Sequence, residues 1–428
     1  MSNNFTNSSL SEEFLQSKRK LTDPIADKVI STIISSGYED EVNQVFRKLV
    51  SNESYTPSLF EDLPKEVFNA VTSYFEETST LPEWADQTLI AKGQQVFALY
   101  GPEISMLLNV KALPLCYTCG NGAKVLYMTG RLSAHGSNID PLARRLMETA
   151  QMVMNTMIPE GLSEQGNGII TIQKVRLIHA SIRYFLKNEK FNKAGWDAKK
   201  YGEPINQEDM AGTLMSFSAL MIKGLEQLSI TLSESEKLGY MHAWRVIGHL
   251  MGLDEDLLPH NFEEGWALGV SIMKHQAEET EDGKELTKSC IKFMQYITPG
   301  NFFDDIPEYM IWFFTQDVSE ATGKDLAKCI GVTESAGIKG KVAIMISRFI
   351  GNQIDNAEDH SFLIRTLSKR FNRILLQGFL QHYNGGKNVH FYIPPNLQKD
   401  WQLSENWIDK FAITPNIFGN RLMWQQKQ

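Results

Sequence analysis

Apolar residues recur at intervals of three and four along almost the whole chain of 428 residues, and few segments alternate with period two. This spacing places the apolar side chains of each segment on one face of an α-helix. Asp23-Pro24 and Asp140-Pro141 are start signals, since proline suits the first turn of a helix. One continuous helix is predicted over residues 206–228. The sequence therefore predicts an all-α fold, with one short strand at residues 389–393 as the exception.

The predicted domains follow one another along the chain. Residues 1–80 are expected to form a separate helical collar, and residues 81–300 form the most continuous block. Residues 301–428 are expected to pack on that block as a C-terminal helical extension. A repeat of roughly 20–50 residues would indicate a helical solenoid, and none is present.

Charge and hydropathy exclude two classes of protein. The chain carries 42 Lys and Arg against 51 Asp and Glu, a formal net charge of −9, which disfavours binding to nucleic acid phosphates. No stretch approaches the roughly 18 uninterrupted apolar residues that span a bilayer, and the N-terminus lacks the pattern of a secretory signal. We therefore expect a cytoplasmic protein without an integral membrane segment.

Cysteine usage gives a weak signal. Cys116 and Cys119 form a lone CxxC pair, and no second pair stands at zinc-ribbon spacing. Buried or incidental thiols are favoured over a redox or metal-binding role.

The most informative stretch contains Arg176, His179 and Arg183, which recur one helical turn apart. Their neighbours are mostly apolar, so the helix is expected to be largely buried. Two buried guanidiniums need anionic partners, because an unpaired buried charge is costly. An acidic side chain on a neighbouring helix would suffice, and spacing alone favours it. The alternative is an anionic cofactor with an imidazole ligand, a description that haem fits through its propionates and axial nitrogen.

A second group of polar residues lies upstream, where Arg145, Glu148 and Thr149 share one helical face. They are either an intrahelical ion pair on a solvated surface or a polar patch facing a cofactor pocket. His242 is interpreted as a core or interface residue rather than a metal ligand. Gly252 is predicted to end the helix that carries it.

Five motifs occur in the order Leu81–Asp86 (LPEWAD), Thr129–Leu132 (TGRL), Arg145–Thr149 (RLMET), Val175–Arg183 (VRLIHASIR) and Trp244–Leu253 (WRVIGHLMGL). Together they resemble the family of latex-clearing-protein rubber oxygenases and MpaB-type oxygenases, over residues 81 to about 260. The resemblance implies a globin-like helical core that holds non-covalent haem b. It further implies that His179 is the proximal axial ligand of the iron and that Arg176 and Arg183 stabilise the haem site. It assigns Arg145 and Thr149 to the distal side.

The sequence departs from the rubber oxygenases at Glu148, where those enzymes carry a lysine able to ligate the iron. A distal lysine ligand is therefore absent from this position, and Glu148 becomes the candidate for proton transfer. Without an export signal, an extracellular polymer is not the expected substrate. We predict an intracellular haem-dependent oxygenase that uses O2 on a small apolar or isoprenoid-like molecule. A non-catalytic haem-binding or gas-binding protein, or a haem peroxidase, remain alternatives.

Overall fold

The computed structural model describes residues 10–38, 45, 56–129, 140–164, 166–298, 304–334, 360–383, 392–401 and 403. Within these ranges the regular structure is helical, and the one sheet-like pairing is an isolated antiparallel bridge between Cys119 and Ala277. The prediction of an all-α fold is therefore confirmed. Of the predicted strand, residues 389–391 lie outside the described residues, and residues 392 and 393 adopt no regular structure.

The α-helices, numbered in chain order, are α1 (Glu12–Lys18), α2 (Pro24–Ser35), α3 (Lys65–Glu77), α4 (Gln87–Leu107), α5 (Leu113–Thr118), α6 (Gly120–Met128), α7 (Asp140–Met157), α8 (Gly168–Lys187), α9 (Ala198–Tyr201), α10 (Gln207–Phe217), α11 (Ala219–Gln227), α12 (Glu234–Leu250), α13 (Phe262–Gln276), α14 (Glu281–Ile297), α15 (Ile306–Thr322), α16 (Leu326–Cys329), α17 (His360–Tyr383) and α18 (Pro395–Asp400). A π-helical turn over Leu108–Ala112 directly follows α4, and 3₁₀ turns cover Pro57–Phe60 and Glu255–Leu257. None of the helices in the described ranges is both long enough and apolar enough to cross a bilayer.

The predicted helix start at Asp23-Pro24 is correct, and one predicted continuity is wrong. Asp23 caps α2, because its side chain accepts a hydrogen bond from the backbone N–H of Ala26 at 3.2 Å. Helix α7 spans Asp140–Met157, and because residues 130–139 lie outside the described residues, its predicted start stays a prediction. The single helix predicted over residues 206–228 is instead two helices, because Ser218 adopts φ −115° and ψ −91° between α10 and α11. The apolar pattern continues through Ser218, so the sequence pattern could not reveal the break between the two helices.

Contacts within the chain divide it into two compact units, each assembled from three separated stretches. The first unit comprises Met1–Val96, Met152–Ser218 and Glu234–His275, and the second comprises Phe97–Gln151, Ala219–Ser233 and Gln276–Gln428. The predicted domains, by contrast, follow chain order. Their boundaries at residues 80 and 300 stay a prediction about which parts fold independently.

In the first unit, α8 packs on α2 and α3 through an apolar core. The buried members of this core on the three helices are Ala26, Val29, Ile30, Ile33, Val67, Val71, Tyr74, Phe75, Leu177 and Ala180. Polar groups inside it are paired: the Tyr74 hydroxyl donates to the Gln173 carbonyl at 2.9 Å, and the Gln173 amide donates to the Phe75 carbonyl at 2.8 Å. These hydrogen bonds fix α8 against α3, as buried polar groups require.

In the second unit, the π-helical turn carries a lysine that is completely buried. The Lys111 ammonium donates to Asp317 at 2.7 Å, to the Gln227 side chain at 3.0 Å and to the Phe314 carbonyl at 2.7 Å. Burial lowers the pKa of Lys111, and the neighbouring Asp317 opposes that shift. Because three acceptors meet its three N–H groups, Lys111 ties the π-helical turn to α11 and α15. No disulfide joins the four cysteines, all of which lie in the described ranges.

Candidate functional site

Helix α8 carries the three residues that the sequence singles out as a cofactor site. Arg176 and Arg183 are buried, with 6% and 4% of their surface exposed, whereas His179 between them is half-buried. The expectation that α8 is largely buried and carries two buried arginines is therefore confirmed. The partners of the two guanidiniums show whether the arginines need a cofactor for their own charge; a ligand role of His179 is a separate question.

Each guanidinium nitrogen of Arg176 donates to a protein acceptor. Its Nε and Nη2 atoms donate to the two carboxylate oxygens of Asp23, with an Nη2–Oδ1 distance of 2.8 Å, and its Nη1 donates to the Leu250 carbonyl at 3.2 Å. Burial alone would lower the pKa of Arg176, but the hydrogen bonds and charge of Asp23 raise it above its ordinary value. The partner of this arginine is therefore an acidic side chain on a neighbouring helix, the alternative that spacing favours.

Gly252, which follows the end of α12, packs directly against the Arg176 guanidinium. Its φ of +83° lies in the left-handed region, and a Cβ atom there would come within 2.8 Å of Nε and Nη2 of Arg176. Glycine is therefore required for the backbone conformation and for the approach to the guanidinium. The predicted helix end at this residue is confirmed, since α12 stops at Leu250.

Arg183 makes the second ion pair between α8 and α2. Its Nε donates to Asp27 at 2.7 Å and its Nη1 donates to the Ile205 carbonyl at 3.3 Å. Its Nη2 is buried and has no hydrogen-bond partner among the described atoms. Since Asp23, the cap of α2, and Asp27 in its first turn are four residues apart, the two ion pairs run side by side along the contact of the two helices.

The donor set on α8 fits part of what haem b requires. A half-buried imidazole at His179 is the usual kind of protein ligand for haem iron. Arg183 retains one buried donor that could meet a propionate, whereas the three donor nitrogens of Arg176 already have acceptors. His179 and Arg183 are therefore the residues of α8 that fit the group, and Arg176 instead contacts Asp23 and the Leu250 carbonyl.

The distal residues named by the resemblance all belong to α7. Glu148 and Thr149 are half-buried, and the Arg145 side chain lies outside the described residues. These residues share one helix, as predicted from their spacing. Their role toward a cofactor stays a prediction.

His242 occupies a structural position on α12. It is buried, and its Nε2 accepts a hydrogen bond of 2.9 Å from the backbone N–H of Asp86, the residue that precedes α4. Its ring meets the Trp84 ring edge-on, with 5.8 Å between centroids. Burial and the nearby Arg245 lower the pKa of His242. The interpretation of His242 as a paired core residue is confirmed.

Further polar residues surround the Trp84 indole. The Arg245 guanidinium lies 4.0 Å from the Trp84 ring centroid, a cation–π contact, and the His249 ring meets the indole edge-on at 5.7 Å. His249 Nδ1 is 2.7 Å from a Glu255 oxygen, and this hydrogen bond lowers the pKa of the Glu255 carboxyl. Two motifs that carry the resemblance, around Trp84 and Trp244–Leu253, thus meet in one cluster.

The free energy of unfolding of the parent protein is expected to fall below about pH 6.5, the ordinary histidine pKa. In His242→Gln this fall should be smaller. Because the folded-state pKa of His242 is lowered, the unfolded chain takes up this proton first. The free energy of unfolding therefore falls as the pH drops through this range. Glutamine keeps an oxygen for the Asp86 N–H and does not titrate. Urea unfolding at pH 7.5 and about pH 5 measures the difference; His260→Gln is the control, and an unchanged pH dependence in His242→Gln would contradict the assignment.

Sequence reasoning misses the two aspartates that meet the arginines. The sequence identifies Asp23 only as a cap, and Asp27 gives no signal beyond its acidity in the first turn of α2. Their separation of one helical turn matches a two-arginine face on another helix. That pattern, two acids and two arginines at compatible helical spacings, is the signal that could have paired them.

The comparisons with known proteins agree on one family. A family model described as "ER-bound oxygenase mpaB/B'/Rubber oxygenase, catalytic domain" matches residues 99–335. A rubber oxygenase from Streptomyces sp. (strain K30) is 21% identical over 280 residues, which cover 65% of this chain and 64% of that protein. The alignment thus spans less than two thirds of this relative. The solved structure of latex clearing protein LCP in the closed state has the same fold, with a TM-score of 0.65 and 18% identity over 88% of this chain and 95% of that one.

Proposed function

We propose that this chain is an oxygenase that uses haem b and O2. The chain belongs to the family of MpaB and rubber oxygenase catalytic domains. The proposed substrate is a small apolar or isoprenoid-like molecule. The matched residues 99–335 include all six residues predicted for the site, three on α7 and three on α8.

One observation carries the proposal: α8 presents a half-buried imidazole between two arginines that are themselves held in place. Asp23 and Asp27 fix these arginines, so the helix face that bears His179 has a defined orientation. A cofactor ligand has to be oriented by its surroundings, and buried ion pairs along the helix provide that orientation. His179 is therefore the residue that we propose as the axial ligand.

Haem, when bound, supplies the iron chemistry that activates O2, while the protein supplies the ligand, the orientation and the electrostatics. His179 would hold the iron through one ring nitrogen. Arg183 would offer its remaining Nη2 donor to a propionate, since no described atom accepts from it. Arg176 would act through Asp23 and the Leu250 carbonyl by keeping α8 in place.

The resemblance assigns Arg145 and Thr149 on α7 to the distal side, and Glu148 stands beside them at the position where the sequence departs from the rubber oxygenases. We propose that the Glu148 carboxylate moves a proton during the reaction and that Arg145 and Thr149 orient it. A positioned acid or base of this kind contributes about 10²–10⁴-fold in rate. Glu148 is half-buried, so it is neither fully exposed nor sealed in the core.

Protein produced with a haem precursor is expected to show a Soret band and about one haem per chain. With squalene as an isoprenoid probe, O2 consumption should rise above the rate without probe. Glu148→Gln should keep its haem and lose most of that O2 consumption, because glutamine preserves shape without the acid. A chain without a Soret band would refute the haem proposal. Haem without probe-dependent O2 consumption would indicate a haem-binding protein, and oxidation driven only by hydrogen peroxide would indicate a peroxidase.

A further inference from the structure

A lysine-rich segment runs from Lys187, the last residue of α8, to Tyr201, the last residue of the short helix α9. We call residues 187–201 the lysine loop, because they contain the five exposed lysines Lys187, Lys190, Lys193, Lys199 and Lys200. The loop contains only two acidic residues, Glu189 and Asp197, and so carries a net charge of 5 − 2 = +3 in a chain whose formal charge is −9. Lys187 pairs with Glu203 just beyond the loop, so the other four lysines are the ones that face a partner. A local positive charge on an acidic protein marks a surface for an anionic partner.

The lysine loop also exposes a large apolar side chain. Phe191 is 45% exposed, although its ring touches Phe185 edge-on with 4.9 Å between centroids. The Lys190 ammonium lies 5.2 Å from the Phe191 ring centroid. An aromatic ring with lysines around it is the composition of an element that lies in the interface of a membrane.

Internal hydrogen bonds hold the loop in one conformation. The Asn192 amide donates to the Leu186 and Gly195 carbonyls at 2.8 and 3.0 Å, and the Trp196 indole N–H donates to the Gly202 carbonyl at 2.8 Å. Gly195 and Gly202 have φ of +71° and +75°, which allows the two tight turns. The exposure of Phe191 is thus built into an ordered loop, and docking would order few further groups.

The loop is also anchored to the rest of the first unit. The Arg19 Nη2 atom donates to the Tyr201 carbonyl at 2.6 Å, and the Glu203 backbone N–H donates to the Arg19 carbonyl at 2.8 Å. Asp197 is committed to capping α9, with its side chain accepting from the Lys199 N–H at 3.1 Å. Asp197 therefore stabilises the conformation of the loop.

We propose that the lysine loop docks the protein on the surface of a bilayer that contains anionic phospholipid. The lysines would meet lipid phosphate and carboxylate groups, and Phe191 would insert among the upper acyl carbons. A bilayer suits the loop better than nucleic acid, because acyl carbons can bury the exposed Phe191 ring, whereas a phosphate backbone offers only charge. The inference is independent of haem binding. Membrane docking would place the protein where apolar molecules of the proposed substrate class dissolve.

The test is co-sedimentation of the full chain with phosphatidylcholine vesicles, with and without phosphatidylserine, at low and high salt. We expect binding to the anionic vesicles alone and its loss at high salt. A lysine near an anionic surface contributes about a fivefold factor in affinity, so Lys190→Glu with Lys193→Glu should weaken binding about thirtyfold or more. Phe191→Ala should weaken binding about tenfold through lost apolar burial.

Matched controls change the same residue types elsewhere. Lys288→Glu with Lys399→Glu reverses two exposed lysines in the second unit, and Leu238→Ala truncates an apolar residue that is 41% exposed. Both controls should bind like the parent, and all variants should unfold at the parent temperature. Equal binding to neutral and anionic vesicles, or equal loss in the control and loop variants, would overturn the proposal. Single-stranded RNA that binds the loop more tightly than vesicles and displaces them would overturn it in favour of a nucleic acid partner.

Discussion

His179→Ala is expected to yield a folded chain that retains about a tenth or less of the haem of the parent protein, because it removes the proposed protein ligand of the iron. His179 is half-buried, so its truncation should cost the fold little, about 1 kcal/mol or less. The measurement is the ratio of Soret to protein absorbance after desalting, together with the free energy of unfolding of the haem-free protein. Loss of haem without loss of stability separates a ligand from a structural residue.

The control for this variant is His260→Ala, in the same unit. His260 is also partly exposed and interacts with Glu264, with 3.1 Å between Nδ1 and the nearest carboxylate oxygen. It should keep its full haem content. Imidazole added to His179→Ala should restore part of the haem spectrum by occupying the vacated ligand position. A His179→Ala protein with full haem and an unchanged spectrum would remove His179 from the site.

The three residues on α8 can be found from the sequence because helical spacing is a local property. A period of 3.6 residues fixes which side chains share a face, so the spacing alone places Arg176, His179 and Arg183 on one side of α8. What those arginines meet is not local. Asp23 lies 153 positions away from Arg176, and only the packing of α2 on α8 brings the two together.

Residues that the sequence identifies as helix ends also make long-range contacts that the sequence does not show. The sequence correctly identifies Asp23 as the cap of α2, but the same carboxylate neutralises Arg176. Gly252 is correctly predicted as a helix end, but its missing side chain also makes room for that guanidinium. Each of these residues has a local role at a helix end and a second role in contact with Arg176. The sequence pattern reveals only the local role.

Burial of charge is the least predictable property. Glu208, in the first turn of α10, suggests an exposed carboxylate that favours the helix dipole. It is fully buried instead, where Arg19 donates to it at 3.1 Å and His275 Nδ1 lies 2.6 Å from its other oxygen. Lys111 in the π-helical turn is a second such case. Both depend on partners from remote segments, which apolar periodicity does not report.

Arg176→Met is expected to destabilise the protein by about 3–5 kcal/mol, because it leaves the Asp23 carboxylate buried without its cation. Asp23 is 5% exposed, so solvent cannot replace the lost partner. Arg176→Lys should recover only part of the loss, since an ammonium lacks the planar fork that meets both carboxylate oxygens. The measurement is the free energy of unfolding by urea. Lys187→Met, which breaks the exposed pair with Glu203, is the control and should cost less than about 1 kcal/mol.

A double-mutant cycle with Asp23→Asn tests how Arg176 acts. Asparagine can still cap α2 but carries no charge, so the variant combining Arg176→Met and Asp23→Asn should be less destabilised than the sum of the single changes. Haem content then distinguishes the two roles of the arginine. A carboxylate at Asp23 cannot bind an anionic propionate, so loss of haem in Asp23→Asn can arise only through the position of Arg176 and α8. Unchanged haem in Asp23→Asn, together with loss of haem in Arg176→Met, would instead make Arg176 a direct partner of the cofactor.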